Sequence, residues 1–212
     1  MTYLLISDCY YPSKKSISRH IYDLLKKIST KNKSVDFYFP ITGKYKKASR
    51  HYSISNINFF PIGFNYFKKK NFFIRGISEL ILPFIMLKKI KENEKKFKKI
   101  IIFSPSIFFG LIMKALKKRF NCKVFLLLRD VFPDWVMQKN KYLWANPFFL
   151  FAKFISYFQF YNSDVIATQS VYDKIVLKKR FPKKKIIIIY NWITPKKFIL
   201  NSQKKKLQIS YF

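Results

Sequence analysis

Cysteine is nearly missing from this chain of 212 residues: Cys9 and Cys122 stand far apart, in no CxxC pair. That pattern excludes a disulfide framework and a structural zinc site, so no metal is expected, and with no signal peptide ahead of them a reducing cytosol is the expected setting. Long apolar runs are also lacking. Leu143 to Tyr161 approaches the length of a membrane span, yet Lys153 interrupts its centre and Asn146-Pro147 breaks its start, so a half-buried helix is expected there. Acidic residues number 10 against 43 lysines and arginines, a net charge of +33, and there are only four glycines.

So large a positive charge raises nucleic acid as a partner, since phosphate contacts come from basic side chains. The kind of base argues against it. Arginine, whose planar fork reads phosphates and bases, occurs only at positions 19, 50, 75, 119, 129 and 180, and lysine supplies the rest. An excess of Lys with Phe, Ile, Asn and Tyr is what an AT-rich coding bias gives. Lysine clusters set among aromatics, such as Phe67-Lys68-Lys69-Lys70-Asn71-Phe72-Phe73, equally suit an anionic membrane leaflet. Both accounts of the charge stand at this point.

The length suits one α/β domain with a substantial core. Apolar β-like runs alternate with helical patterns, which predicts βαβ units and a Rossmann-like parallel sheet with helices on both faces. Strands are predicted at Tyr3 to Ser7, Val35 to Phe39, Asn58 to Ile62, Ile100 to Phe103, Lys123 to Leu128, Asp164 to Thr168 and Ile186 to Tyr190. Ile17, Ile21, Leu24, Leu25 and Ile28 recur at helical spacing behind Ser18 as N-cap. A long helix is predicted over Gly76 to Lys99 with a kink at Pro83, another over Ile107 to Phe120, and a further one opened by a Ser170/Asp173 capping box.

Ligands of open α/β folds gather at the carboxyl ends of the strands. Leu126-Leu127-Leu128 ends there in Arg129-Asp130-Val131-Phe132-Pro133-Asp134-Trp135, where Pro133 fixes its own φ and restricts Phe132, so that Asp130 and Asp134 sit on a stiff loop. The same residues also read as a surface ion pair followed by a packed turn whose Asp caps a helix. His20 reads as a core or capping histidine as well as a site residue.

Four segments in order resemble the N-terminal domain of glycosyltransferase family 4 enzymes of the GT-B fold, in the branch that builds bacterial surface polysaccharides. They are Tyr10-Tyr11-Pro12-Ser13-Lys14-Lys15-Ser16-Ile17-Ser18-Arg19-His20, Arg129-Asp130-Val131-Phe132-Pro133-Asp134, Ser163-Asp164-Val165-Ile166-Ala167-Thr168-Gln169-Ser170, and Asn191-Trp192-Ile193 with Phe198. The resemblance spans residues 3 to 199, taken as one domain from 1 to 199 with a Lys-rich tail from 200 to 212.

What the resemblance implies is a retaining transferase that moves a sugar from a nucleotide-diphosphate donor, with no other cofactor, to a lipid-linked glycan acceptor. The chain would work peripherally at the inner face of the cytoplasmic membrane. Asp130 would orient or deprotonate the acceptor hydroxyl, while Lys14, Lys15, Ser16, Arg19, His20, Arg129 and Asp134 would hold acceptor or diphosphate at the opening of the first helix. The chain departs from the family by carrying Lys14-Lys15-Ser16 in place of a Gly-Gly pair, Tyr190 in place of Pro and Thr194 in place of Asp. The donor domain's pair of glutamates eight residues apart has no counterpart among Glu79, Glu92 and Glu94. A separately encoded donor-binding half is therefore the expected partner; an inactive remnant and a basic membrane- or nucleic-acid-binding module are the alternatives.

Overall fold

The computed structural model describes residues 2–41, 52–64, 72–93, 96–103, 106–134, 136 and 141–192. Seven strands, β1 (Thr2–Ser7), β2 (Ser34–Ile41), β3 (Ile57–Gly63), β4 (Phe97–Phe103), β5 (Lys123–Leu127), β6 (Val165–Thr168) and β7 (Lys185–Ile188), form one sheet in the order β3-β2-β1-β4-β5-β6-β7. Every pairing is parallel. The predicted α/β Rossmann-like fold is what the chain adopts.

Alternation along each strand divides the core into two layers, because successive side chains leave opposite faces. Leu4, Ile6, Ile100, Ile102, Val124 and Leu126 turn to the face covered by α2 (Phe72–Lys91), α3 (Gly110–Phe120), α4 (Pro147–Asn162) and α5 (Val171–Arg180), where Met86, Ile112, Leu116, Phe160 and Leu177 meet them. Leu5, Val35, Phe37 and Phe39 turn the other way, onto Ile17, Ile21 and Leu25 of α1 (Ser16–Ser29). Tyr10 fills that second layer, its ring 4.9 Å from Phe37 and 5.1 Å from Phe39.

The capping box at Ser170 forms as read: Ser170 Oγ accepts the backbone N–H of Asp173 at 3.0 Å and bonds its carboxylate at 2.7 Å. Three local readings need correction. α1 starts at Ser16 behind Lys15, which contributes no side-chain cap, so Ser18 lies buried inside the first turn. α2 ends at Lys91, well before Lys99. Asn93 leaves the helical path to donate to Asp36 Oδ2 at 3.1 Å and Tyr38 Oη at 3.2 Å, and Phe97 already belongs to β4, buried against Phe120 at 4.8 Å. Asp164 precedes β6 and ties it to its neighbours, accepting from Val124 N at 2.8 Å and Lys117 Nζ at 2.7 Å.

The segment Leu143 to Tyr161 becomes a short 3₁₀ turn (Lys141–Ala145) and then α4, capped by Asn146 Oδ1, which accepts from Phe148 N at 2.9 Å. No described helix is long and apolar enough to cross a membrane. Trp135, Thr194, Phe198, Glu94 and the tail from 200 to 212 lie outside the described residues.

Candidate functional site

β1 and β4 are neighbours in the sheet, yet the chain leaves β1 towards β2 on one side and leaves β4 towards β5 on the other. Such a reversal opens a crevice at the strands' carboxyl ends, because the two outgoing connections diverge there. Side chains from three elements meet at this crevice: the loop after β1, the first turn of α1, and Arg129 beyond β5.

Arg129 spans the crevice. Its Nη1 donates to Ser16 Oγ at 3.0 Å, linking the end of β5 to the start of α1 across 113 positions of sequence. The loop between β1 and α1 is set by a turn in which Ser13 N donates to Tyr10 O at 3.0 Å, and it delivers exposed Lys14 and Lys15 to the helix opening. The first turn of α1 has no acidic residue, so its free N–H groups, the Arg129 guanidinium and Lys15 together favour an anion.

Polar atoms stranded without a hydrogen bond are uncommon in folded proteins. Here Asp8 Oδ1, Ser18 Oγ, His20 Nδ1 and Arg129 Nε are all buried without a partner. Each lies in one of the segments that meet at the crevice.

Asp8 follows β1 directly. Burial pushes its carboxyl up to about 7, with Glu79 on α2 adding to the effect and Lys15 opposing it. The folded protein therefore keeps this proton to near neutrality, whereas the unfolded chain releases it near the ordinary value of 3.8. Asp8 consequently costs stability as pH rises between those values. Asp8→Asn is expected to be more stable than the parent by about 1–3 kcal/mol at pH 8, the gap closing towards pH 4, as urea melts across that range will measure.

His20 is 8% exposed, and burial together with the neighbouring Arg129 charge lowers its pKa, so the imidazole is neutral at pH 7. Trp192 closes over it: the indole Nε1 donates to His20 O at 3.0 Å, and the rings lie 5.5 Å apart. The same indole sits 5.8 Å from Phe103 at the end of β4, so the chain after β7 returns across the strand ends to α1.

The structure brings Lys15, Ser16, His20 and Arg129 together and sends other expected residues elsewhere. Asp130 is exposed beside Arg129 and has no polar partner among the described residues; the Arg129 guanidinium bonds Ser16. Asp134 is engaged differently from Asp130. It is 5% exposed and paired with Arg180 at the end of α5, which makes it a structural ion-pair member. Arg19 is likewise diverted, its Nε bonding Asp23 one turn along α1 at 3.2 Å. The sequence reading passed over Asp8, although the rule that drew attention to Arg129, a polar residue at the carboxyl end of an apolar strand, applies equally to it.

Among the described residues no group of three or more His, Cys, Asp and Glu side chains could hold a metal ion.

The fold is shared with solved GT-B glycosyltransferases. UGT2 from Phytolacca americana, in its apo form, aligns with a TM-score of 0.59 at 8% identity over 90% of this chain and 51% of that one. TcCGT1 in complex with UDP aligns at 0.61 and 8% identity over 94% and 53%. A UDP-glucose:anthocyanidin 3-O-glucosyltransferase in complex with UDP aligns at 0.55 and 13% identity over 91% and 53%. The chain thus spans about half the length of these proteins. No protein-family model matches the sequence, and no curated protein matches it.

Proposed function

We propose that this chain is the acceptor-side half of a retaining glycosyltransferase, which takes a sugar from a nucleotide-diphosphate donor and places it on a lipid-linked glycan at the cytoplasmic membrane face. The observation that carries this reading is the Arg129–Ser16 bridge over the opening of α1, a cationic cradle at the switch point of a fold shared with solved glycosyltransferases about twice as long. The donor nucleotide would be held by a second, donor-binding half.

In this reading Lys15, Ser16, Arg129 and the α1 amides hold the acceptor's diphosphate, which fixes its sugar below the donor. Asp130, exposed beside Arg129, receives the acceptor hydroxyl's proton as the donor's C1–O bond to phosphate breaks and a C1–O bond to the acceptor oxygen forms on the same face of the ring. Neutral His20 would accept a hydrogen bond from the acceptor through Nδ1, with Trp192 keeping water from it.

A membrane setting fits the surface of the helical layer. Ile77, Ile81 and Phe84 form an exposed apolar stripe on α2, and Leu150, Phe151, Phe154 and Tyr161 are exposed on α4, with Lys153 poised 4.5 Å above the Trp144 ring. Aromatic faces within a lysine-rich surface are what an anionic headgroup layer binds.

One experiment tests the whole reading. The chain is co-expressed with the adjacent coding region and assayed for UDP release on anionic vesicles that carry a polyprenyl-diphosphate sugar. Asp130→Asn is expected to slow turnover by about 10²-fold with vesicle flotation unchanged. Phe151→Ser with Phe154→Ser is expected to reduce flotation. Parental turnover in Asp130→Asn removes that carboxylate from the mechanism, and sugar release indifferent to this chain removes the transferase reading.

A further inference from the structure

We propose that Asp8 is the hydroxyl-recognising residue of the crevice, binding the sugar ring of a phosphorylated sugar whose phosphate rests on Lys15, Ser16 and Arg129. The inference depends on the reading of the cradle as an anion site and adds the residue that selects what is attached to the anion.

The first support is position. Asp8 directly follows β1, one of the two strands between which the sheet order reverses, and the charge of Lys15 in the cradle acts on its carboxyl. A ligand seated on Arg129 and Ser16 therefore has Asp8 on the β1 side of the same opening.

The second is the pattern of unmet hydrogen bonds. Asp8 Oδ1 and Arg129 Nε are buried without partners, and so are Ser18 Oγ and His20 Nδ1, on residues 1% and 8% exposed. A fold gains nothing from orphaning polar atoms of both kinds, acceptors and donors, around one crevice, and a site held ready for a ligand uses them. The ligand must offer hydroxyl-type groups, which donate and accept, together with an anion for the guanidinium.

The third is the chemical state of Asp8. Three charged or titratable groups surround it: Lys15 on the loop, Glu79 on α2 and the Cys9 thiol, itself pushed up to about 12, mainly by burial. With its proton retained to near neutrality, the carboxyl both donates and accepts, which matches a sugar hydroxyl. It does not match a second phosphate, which a neutral acid holds poorly beside Glu79, nor a cation, which needs the ionised form.

Calorimetric titration of the chain with inorganic phosphate and with glucose 1-phosphate, at physiological salt and pH 6.5, tests this. The parent is expected to bind glucose 1-phosphate about tenfold tighter than phosphate, the increment of one well-placed hydrogen-bonding group. Asp8→Ala is expected to bring the two affinities together while phosphate binding stays as in the parent, and Asp8→Asn, which still donates and accepts, is expected to keep most of the difference. Arg129→Ala is expected to weaken both ligands by about tenfold. A sugar increment that survives in Asp8→Ala overturns the assignment and leaves the phosphate cradle standing. Absence of phosphate binding, or binding indifferent to Arg129→Ala, overturns the cradle and this inference with it. Thermal melts of each variant check that the fold is retained.

Discussion

Arg180→Ala is expected to lower the unfolding free energy by about 3–5 kcal/mol, because it leaves the Asp134 carboxylate with no counter-charge in a place water barely reaches. Asp134 is 5% exposed, and its Oδ2 accepts from Arg180 Nη1 while its Oδ1 already lacks a partner, so the guanidinium is its one source of compensation among the described residues. Arg180 is less confined: its side chain is 23% exposed and its guanidinium lies 5.7 Å from the Tyr157 ring. The reciprocal variant, Asp134→Ala, is therefore expected to cost less than Arg180→Ala, since the stranded arginine can turn to water. Replacing both by leucine is expected to restore most of the loss, because a buried pair usually gives little net stability over apolar packing. Urea unfolding of the four proteins measures all of this. Equal losses in the two single variants would show that packing, and not charge, dominates there.

Gly110→Ala is expected to destabilise by about 3 kcal/mol, although alanine is the better helix former by about 1 kcal/mol. Gly110 opens α3 with φ −53°, an ordinary helical angle, so backbone freedom is not the reason for glycine. The reason is proximity. A Cβ built there lies 2.6 Å from Cα and 2.8 Å from N of Gln159, backbone atoms of α4 that cannot swing aside. α4 would have to move off α3, disturbing the bond from Gln159 Nε2 to Ser106 O at 3.2 Å just after β4. Thermal melts read the effect. Gly63→Ala serves as the comparison: a Cβ there has nothing within 4 Å, and little change is expected.

Much of the fold was legible because parallel strands covered on both sides must be apolar throughout. Leu4 to Ile6, Ile100 to Phe103 and Val124 to Leu128 announce themselves. Phe97-Lys98-Lys99 did not, because two lysines beside a lysine-rich helix end hide the alternation that carries Phe97 inward. Arg129 was legible in the site through its place at a strand's end. Its partner was not, since Ser16 is 113 residues away and nothing periodic joins the two. Asp134 misled for the same reason: its neighbours in sequence suggested a loop beside Asp130, while its fate was settled by Arg180, 46 residues on. Asp8 was masked by the aromatic loop that follows it, and the Glu79 charge that acts on it comes from α2, far along the chain.

The sheet order also has a consequence for how the protein is made. β1, translated first, lies between β2 and β4, and its pairing with β4 joins Thr2 to Phe97 and Ser7 to Phe103. The nascent β1 can gain β2 early, but its other edge waits until the ribosome has released the polypeptide beyond Phe103, leaving Leu4, Leu5 and Ile6 open to chaperones in the interval.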